Sequence, residues 1–179
     1  MPFIVRIQLF LVEEIRFFLN LILKIFERIL FRKLSKLSHP PQRILIFKVG
    51  NIGDIVCAIP SFIAVRRMYP KARITLLTSP GERGIAGAEE LLRDAWYLDE
   101  IRAYDVREIQ SFRKLINFSK TLRKEKYDLF VHIPPHDWTR FRIFLRNMLF
   151  AKLLRIPSAF GFRIRTIINL FRKTQIDYT

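Results

Sequence analysis

The sequence predicts a doubly wound α/β domain with a parallel sheet, a Rossmann-like fold, preceded by an amphipathic helix. Three observations predict it. Short apolar runs alternate with longer segments of helical apolar spacing from residue 43 onward. The first apolar run leads through a glycine-containing turn into a helix, as at the first strand–helix corner of such folds. Half of the residues are hydrophobic and seventeen are Phe, which is ample for one core.

The predicted elements follow one another as β–α units do. Their strands are short and mostly apolar, as expected for a parallel sheet that helices cover on both faces. The predicted strands are residues 43–46, 73–78, 100–104, 127–133 and 159–161. The predicted helices are residues 54–70, 88–92, 109–124 and 139–154.

The first corner, residues 47–54, carries the most informative side chains. Ligands bind at such corners, at the carboxyl ends of parallel strands. Asp54 lies where turn and helix meet, so it is either a helix cap or a carboxylate available for a reaction. Gly50 and Gly53 fit a tight turn approached by a ligand. They form neither the dinucleotide fingerprint nor a phosphate loop, so no nucleotide site is predicted at this corner.

The stretch Arg43 to Pro80 resembles the amino-terminal signature of glycosyltransferase family 9, which includes the ADP-heptose:lipopolysaccharide heptosyltransferases. It contains K-x-G-N-x-G-D-x-x-x-x-x-P followed by Y-P-x-A-x-I-T-L-L-T, and the likeness continues to about Gly161. The resemblance implies transfer of a sugar from an ADP-heptose donor to a lipopolysaccharide or related glycolipid acceptor. It also implies that Asp54 is the general base.

The family resemblance further implies a two-domain GT-B arrangement, with the acceptor domain first and the nucleotide-sugar domain second. Residues 43–179 are enough for one α/β domain, and the donor-binding motif D-T-G-x-x-H is absent from them. We therefore expect an acceptor-binding domain at 43–179 with the donor domain missing, and an isolated chain without activity. The alternative is a non-catalytic truncated product or a basic, membrane-bound module that binds glycolipid.

Four further residues are predicted to contact the acceptor. Asn51 and Gly53 belong to the motif; the family often has serine in place of Asn51, and both residue types hydrogen-bond within turns. His136 and Asp137 follow the fourth predicted strand, whose carboxyl end lies on the same sheet edge as Asp54. The alternative for His136 and Asp137 is a solvated loop.

No metal or cofactor site is predicted. His132, His136 and Asp137 do not have the spacing of a zinc site. His132 lies inside an apolar strand, which favours a hydrogen-bonded core histidine. Cys57 is the one cysteine, so no intramolecular disulfide can form. Its place in the helix pattern favours a packed core thiol over a nucleophile.

The formal net charge of +16 implies an anionic partner: nucleic acid, an acidic lipid surface or a phosphorylated glycan. Nucleic acid is not favoured, because the chain lacks RRM, KH and zinc-finger signatures and its aromatic residues have core spacing. Basic residues of the second half either bind phosphate groups of an acceptor or lipid, or are simply solvated. These residues are Arg140, Arg142, Arg146, Lys152, Arg155, Arg163, Arg165, Arg172 and Lys173.

Residues 1–37 predict an amphipathic helix in the membrane interface, followed by a linker at 38–42. Charges interrupt the apolar run, so neither a spanning helix nor a signal peptide is predicted. The alternative is a helix packed on the protein's own domain or on the missing half. The expected location is cytoplasmic, peripheral on the inner face of the cell membrane. The polar stripe is Glu13, Arg16, Asn20, Lys24 and Glu27, opposite Val12, Ile15, Leu19, Ile22, Phe26 and Ile29.

Overall fold

The computed structural model describes residues 3–31, 39–79, 87–104, 112–134 and 141–162. Helices and strands alternate along these residues after the first helix. The helices are α1 (Phe3–Leu30), α2 (Ile52–Met68), α3 (Ala88–Leu91), α4 (Phe112–Arg123) and α5 (Phe141–Leu153). The strands are β1 (Arg43–Phe47), β2 (Arg73–Thr78), β3 (Glu100–Ala103), β4 (Leu129–His132) and β5 (Ser158–Phe160).

The strands form one parallel sheet in the order β3-β2-β1-β4-β5, which confirms the predicted doubly wound α/β class. From the central strand β1 the chain moves outward to β2 and β3. It then crosses to the other side of β1 for β4 and β5. The direction of winding therefore reverses between β1 and β4, and ligands of such folds bind in the crevice at that reversal.

Alternate residues of β1 face the two layers of helices. Ile44 and Ile46 pack in the cluster that includes residues of α2 and α3. Leu45 and Phe47 pack in the cluster that includes residues of α4, α5 and α1. Because both faces of the strand are covered, the strand has an uninterrupted apolar sequence rather than an alternating one.

The predicted element boundaries agree with the structure to within a few residues. The second strand begins and ends where predicted, at Arg73 and Thr78. The fourth is shorter than predicted and covers Leu129–His132. The predicted amino-terminal ends of the helices that become α4 and α5 fall in segments 105–111 and 135–140, outside the described residues.

The carboxyl-terminal part of α1 packs on the domain. Leu23 and Phe31 are buried in the same core as α5, and the Lys152 ammonium donates a hydrogen bond of 2.7 Å to the Leu30 carbonyl oxygen. The packed side also carries half-buried polar residues, whereas the exposed side is mostly apolar and also carries Glu14, Lys24 and Arg28. Glu13, Arg16, Asn20 and Glu27 are the half-buried polar residues. We use the term outward face of α1 for eight of its exposed apolar residues: Leu11, Val12, Ile15, Phe18, Ile22, Ile25, Phe26 and Ile29. Phe10, Phe17 and Leu21 of α1 are exposed as well.

Two members of the predicted stripes differ from expectation. Leu19, assigned to the apolar side, is half-buried against the core, and Lys24, assigned to the polar stripe, is exposed. Leu23 lies between Asn20 and Glu27 on the helix surface, so it is on the same side as the polar stripe. It is buried there in the core. None of the described helices is both long and apolar enough to cross a membrane.

Candidate active site

The corner between β1 and α2 is built around the amino terminus of α2. Asn51 is the N-cap residue, with extended backbone angles of φ −74° and ψ 172°. Its carbonyl oxygen accepts the first helical hydrogen bond from the Ile55 amide at 3.1 Å. Asp54 is the third helical residue, and its Oδ2 accepts a hydrogen bond of 3.2 Å from the Asn51 amide. Asp54 therefore does contribute to helix capping, as the returning half of a capping box in which Asn51 and not Asp54 is the N-cap residue.

The Asp54 carboxylate has one oxygen held by the backbone and one facing a cation. Asp54 Oδ1 lies 3.8 Å from the Lys48 ammonium nitrogen, and the Asp54 side chain keeps 30% of its surface exposed. Each carboxylate oxygen has two lone pairs, so these contacts leave acceptor capacity on both. The carboxylate is fixed in direction and still reachable, as a general base must be.

Lys48 is a functional candidate that sequence reasoning missed. It ends the apolar run of β1, is only 3% exposed, and donates a hydrogen bond of 3.2 Å from its ammonium to the Pro134 carbonyl oxygen. Burial lowers the pKa of Lys48 below its ordinary value, and the neighbouring Asp54 opposes the fall. The sequence did contain an indication of this. Lys48 directly follows an apolar strand, so its side chain has to be buried with a partner or to bend away toward solvent.

The two glycines of the corner have different roles. A Cβ on Gly50 would lie 2.6 Å from the Asp54 Cβ, so only glycine lets the turn pass beside that carboxylate. A Cβ on Gly53 would meet nothing within 4 Å. Packing therefore does not require glycine at position 53, and the first turn of α2 is open to a ligand on that side. The acceptor contacts predicted at Asn51 and Gly53, both exposed, stay predictions.

His136 and Asp137, the other predicted acceptor contacts, lie outside the described residues. The stem of their segment is described. The Ile133 amide donates a hydrogen bond of 3.0 Å to the Phe47 carbonyl oxygen, and Pro134 accepts from Lys48. The residues that lead from β4 into the 135–140 segment thus lie beside the end of β1, on the sheet edge that carries Asp54.

His132 is a satisfied core residue, as predicted. It is 3% exposed, its Nδ1 lies 3.1 Å from the Gly161 carbonyl oxygen, and its Nε2 lies 2.9 Å from the Asn147 side-chain nitrogen. This pairing assigns the proton to Nδ1, which donates to Gly161, while Nε2 accepts from Asn147. The ring also stacks on Phe162 with a centroid separation of 4.9 Å. Burial lowers the pKa of His132 to about 4.

This low pKa predicts loss of stability in acid. Above pH 6.5 His132 is neutral in both the folded and the unfolded chain. Below pH 6.5 the unfolded chain binds a proton that the folded chain refuses until about pH 4, so the free energy of unfolding falls through that window. The loss from this residue should approach about 3 kcal/mol.

Urea unfolding at pH 7, 5.5 and 4.5 would measure this fall in stability. His132→Gln should flatten the acid slope, whereas His39→Gln, a change at an exposed histidine, should leave it unchanged. Equal slopes in the wild type and His132→Gln would show that the acid sensitivity comes from other groups.

Cys57 is exposed on α2, which corrects the prediction of a packed core thiol. The apolar spacing of residues 54–70 suggested a wider buried face than α2 has. The helix buries only a narrow strip, Ile55, Ala58, Phe62 and Val65, and position 57 falls beside it. Among the described residues, no group of three or more His, Cys, Asp or Glu side chains could hold a metal ion.

Fold and corner together define a doubly wound α/β domain with a half-exposed carboxylate at its topological switch point. No protein-family model matches the sequence, and no curated protein matches it significantly. Among solved structures, the chain is similar to a glycosyl transferase family 9 protein from Veillonella parvula, with a TM-score of 0.51 and 18% sequence identity. The match covers 66% of this chain and 31% of that one, so the chain spans about a third of its neighbour's length. At this identity the likeness establishes the shared fold.

Proposed function

We propose that this chain is the acceptor-binding part of a glycosyltransferase that uses a nucleotide-activated sugar, with Asp54 as its general base. The observation that carries the proposal is the position of Asp54: fixed by the Asn51 amide, half-exposed, and placed at the switch point between β1 and β4. The fold shared with the Veillonella parvula protein and the resemblance of residues 43–80 to family 9 support it.

The reaction follows from the chemistry of a sugar donor. A hydroxyl oxygen of the acceptor attacks the anomeric carbon of the donor sugar and forms the new glycosidic bond. The bond from that carbon to the diphosphate breaks, and the nucleoside diphosphate leaves with the electron pair. Asp54 accepts the hydroxyl proton as the bond forms. By the family resemblance, the donor is an ADP-heptose and the acceptor a lipopolysaccharide or related glycolipid.

In this proposal a second domain binds the donor nucleotide. The corner of the first domain has a turn of the form Gly50-x-x-Gly53 that lacks the phosphate-binding fingerprints. The open side of the α2 amino terminus is left for the acceptor, whose hydroxyl has to reach Asp54. The 179 residues should therefore recognise the acceptor and leave ADP unbound.

The native cysteine gives a direct test of this assignment. Cys57 is exposed and lies one helical turn after Asp54, so a fluorophore attached to it reports on the corner. We expect its emission to respond to a heptose-free lipopolysaccharide and not to ADP. Phospholipid vesicles without the glycan are the control for lipid contact elsewhere in the chain. A response to micromolar ADP, or equal responses to glycolipid and plain vesicles, would contradict the assignment of this corner to the acceptor.

We further propose that the outward face of α1 lies in the interface of a membrane with anionic lipids. The apolar side chains of that face are 40–74% exposed, although residues of this kind are normally buried. A surface of this kind is typical of helices that lie in the headgroup region. Lys24 and Arg28 flank it and are exposed, which suits acidic headgroups.

The way α1 packs favours lipid contact over packing on the protein's own domain. The domain already contacts Leu23 of α1 and Phe31, the residue directly after it, on the side that carries the half-buried polar residues. Within the described residues, the apolar side is left without cover.

Point variants on the outward face should release the chain from vesicles. We expect the triple change Phe18→Ser, Ile22→Ser and Ile29→Ser to lower partition into vesicles of mixed anionic and neutral lipids at least about 100-fold. Each of these large side chains contributes on the order of 1 kcal/mol or more when it leaves water. Deletion of residues 1–37 is a poorer test, because it also removes Leu23 and Phe31 from the core.

The matched control changes exposed apolar residues outside α1. Val56, Met68 and Trp96 are 46%, 65% and 66% exposed, so changing all three to serine removes comparable exposed surface. Vesicle co-sedimentation should be unaffected by this control. Equal retention of the α1 variant and the wild type would contradict membrane binding through α1. A change in the sedimentation of the free protein from dimer to monomer would instead identify the face as a contact between copies.

A further inference from the structure

We propose that Lys48 is a positioning residue for Asp54: a buried ammonium that holds the carboxylate at the β1–α2 corner and ties it to the end of β4. The inference rests on the proposed function only where it calls Asp54 the base. The contact itself is a property of the chain and can be measured without turnover.

Lys48 is buried although its side chain carries a charge. The residue is 3% exposed at the end of a strand whose preceding four residues are buried and apolar. Burying an ammonium is costly unless it is paired and hydrogen-bonded, and an apolar side chain would fill the same place without that cost. Packing alone therefore does not account for a lysine at position 48.

The Lys48 ammonium contacts two segments that are distant from each other in the sequence. Its ammonium nitrogen lies 3.2 Å from the Pro134 carbonyl oxygen and 3.8 Å from Asp54 Oδ1. Pro134 follows β4, and Asp54 belongs to the first turn of α2. The Lys48 ammonium thus bridges the two segments that leave the sheet on either side of the switch point. These are the segments between which a ligand of a doubly wound fold binds.

The contact with Lys48 also helps to orient the Asp54 carboxylate. The Asn51 amide holds Oδ2 and the Lys48 ammonium attracts Oδ1, so two contacts of different kinds fix the plane of one carboxylate. Loss of Lys48 would leave the capping hydrogen bond in place, and the carboxylate group could then turn about that bond. Loss of a base's orientation reduces turnover even when the residue itself is present.

The pairing can be tested on the isolated 179-residue chain by following the titration of Lys48 with ¹³C-labelled lysine and NMR. Asp54 raises the pKa of Lys48 against the lowering by burial, so Asp54→Asn should lower the pKa of Lys48 further. Asp54→Asn retains Lys48, so this measurement does not depend on the stability of any Lys48 variant. The matched control is Asp94→Asn, a change at an exposed aspartate. Identical Lys48 titrations in the wild type and Asp54→Asn would overturn the proposal.

Kinetics in the presence of the donor domain separate positioning from packing. Lys48→Met should lower kcat at least tenfold with little change in the KM for the acceptor, whereas Lys71→Met, at an exposed lysine, should change neither. A Lys48→Met protein that is less stable but turns over normally would assign Lys48 to packing and overturn the proposal. Altered Lys48 titration in Asp54→Asn, combined with no sugar transfer by the wild type in the presence of the donor domain, would leave the pairing intact and contradict the proposed function instead.

Discussion

Asp54→Asn is expected to lower sugar transfer by roughly 10²–10⁴-fold in the enzyme supplied with its donor domain, because a positioned general base usually contributes this much. The amide cannot take the proton of the acceptor hydroxyl. It can still accept the hydrogen bond that Asp54 Oδ2 receives from the Asn51 amide at 3.2 Å. The capping contribution to stability should therefore change by less than about 1 kcal/mol, and the loss of the charge partner of the buried Lys48 ammonium adds to the cost.

Asp54→Ala separates the structural contribution of the carboxylate from the chemical one. It removes both the capping hydrogen bond and the base, so we expect the same loss of transfer and, relative to Asp54→Asn, a further stability loss of about 0.5–2 kcal/mol. Initial rates of transfer and urea unfolding of all three proteins would measure the two effects. Near-normal turnover by Asp54→Asn would reduce Asp54 to a capping residue, and the base would then be sought at His136 or Asp137.

Gly161→Ala is expected to lower the free energy of unfolding by at least about 3 kcal/mol. Gly161 has φ +98°, a conformation that residues with a Cβ rarely adopt. A Cβ there would lie 1.9 Å from the His132 carbonyl oxygen, which belongs to the backbone of β4. The end of β5 would have to move away from β4, and the contact between His132 Nδ1 and the Gly161 carbonyl oxygen would be lost with it.

Gly53→Ala is the matched control, because it makes the same chemical change where a Cβ would meet nothing within 4 Å. Within a helix, alanine is favoured over glycine by roughly 0.5–1 kcal/mol, so the control should be neutral or more stable. Urea unfolding midpoints of the two variants would decide. If Gly161→Ala lost less than about 1 kcal/mol, the positive φ and the close approach to β4 would not be features of the folded protein in solution.

The fold class followed from local signals in the sequence. β1 and β4 are buried on both faces, so their sequences are continuous apolar runs, and turn residues separate them from segments of helical spacing. Patterns of this kind depend on nearest neighbours along the chain. For the same reason the sequence located the corner at Gly50 to Asp54 and the buried state of His132, which lies in such a run.

Several features of the site could not follow from local signals. Lys48 contacts Asp54 and the carbonyl oxygen of Pro134. The hydrogen-bond partners of His132 are Asn147 and Gly161. The helical pattern also placed Cys57 in the core, although the buried strip of α2 is narrower than the pattern suggested. The contacts of Lys48 and His132 depend on which strands are neighbours in the sheet, and the order of the strands cannot be predicted from the sequence of any one segment.

The sequence by itself determined that residues 43–162 form alternating strands and helices, that a carboxylate ends the first corner, and that the first helix has one apolar side. Tertiary structure alone decided which way that helix faces. Leu23 and Phe31 fit the core beside α5, so the helix packs by its partly polar side and leaves its apolar side exposed. Tertiary structure also decided that the Lys48 ammonium reaches Asp54. Both outcomes depend on contacts between segments distant in the chain, whose free energies no local pattern contains.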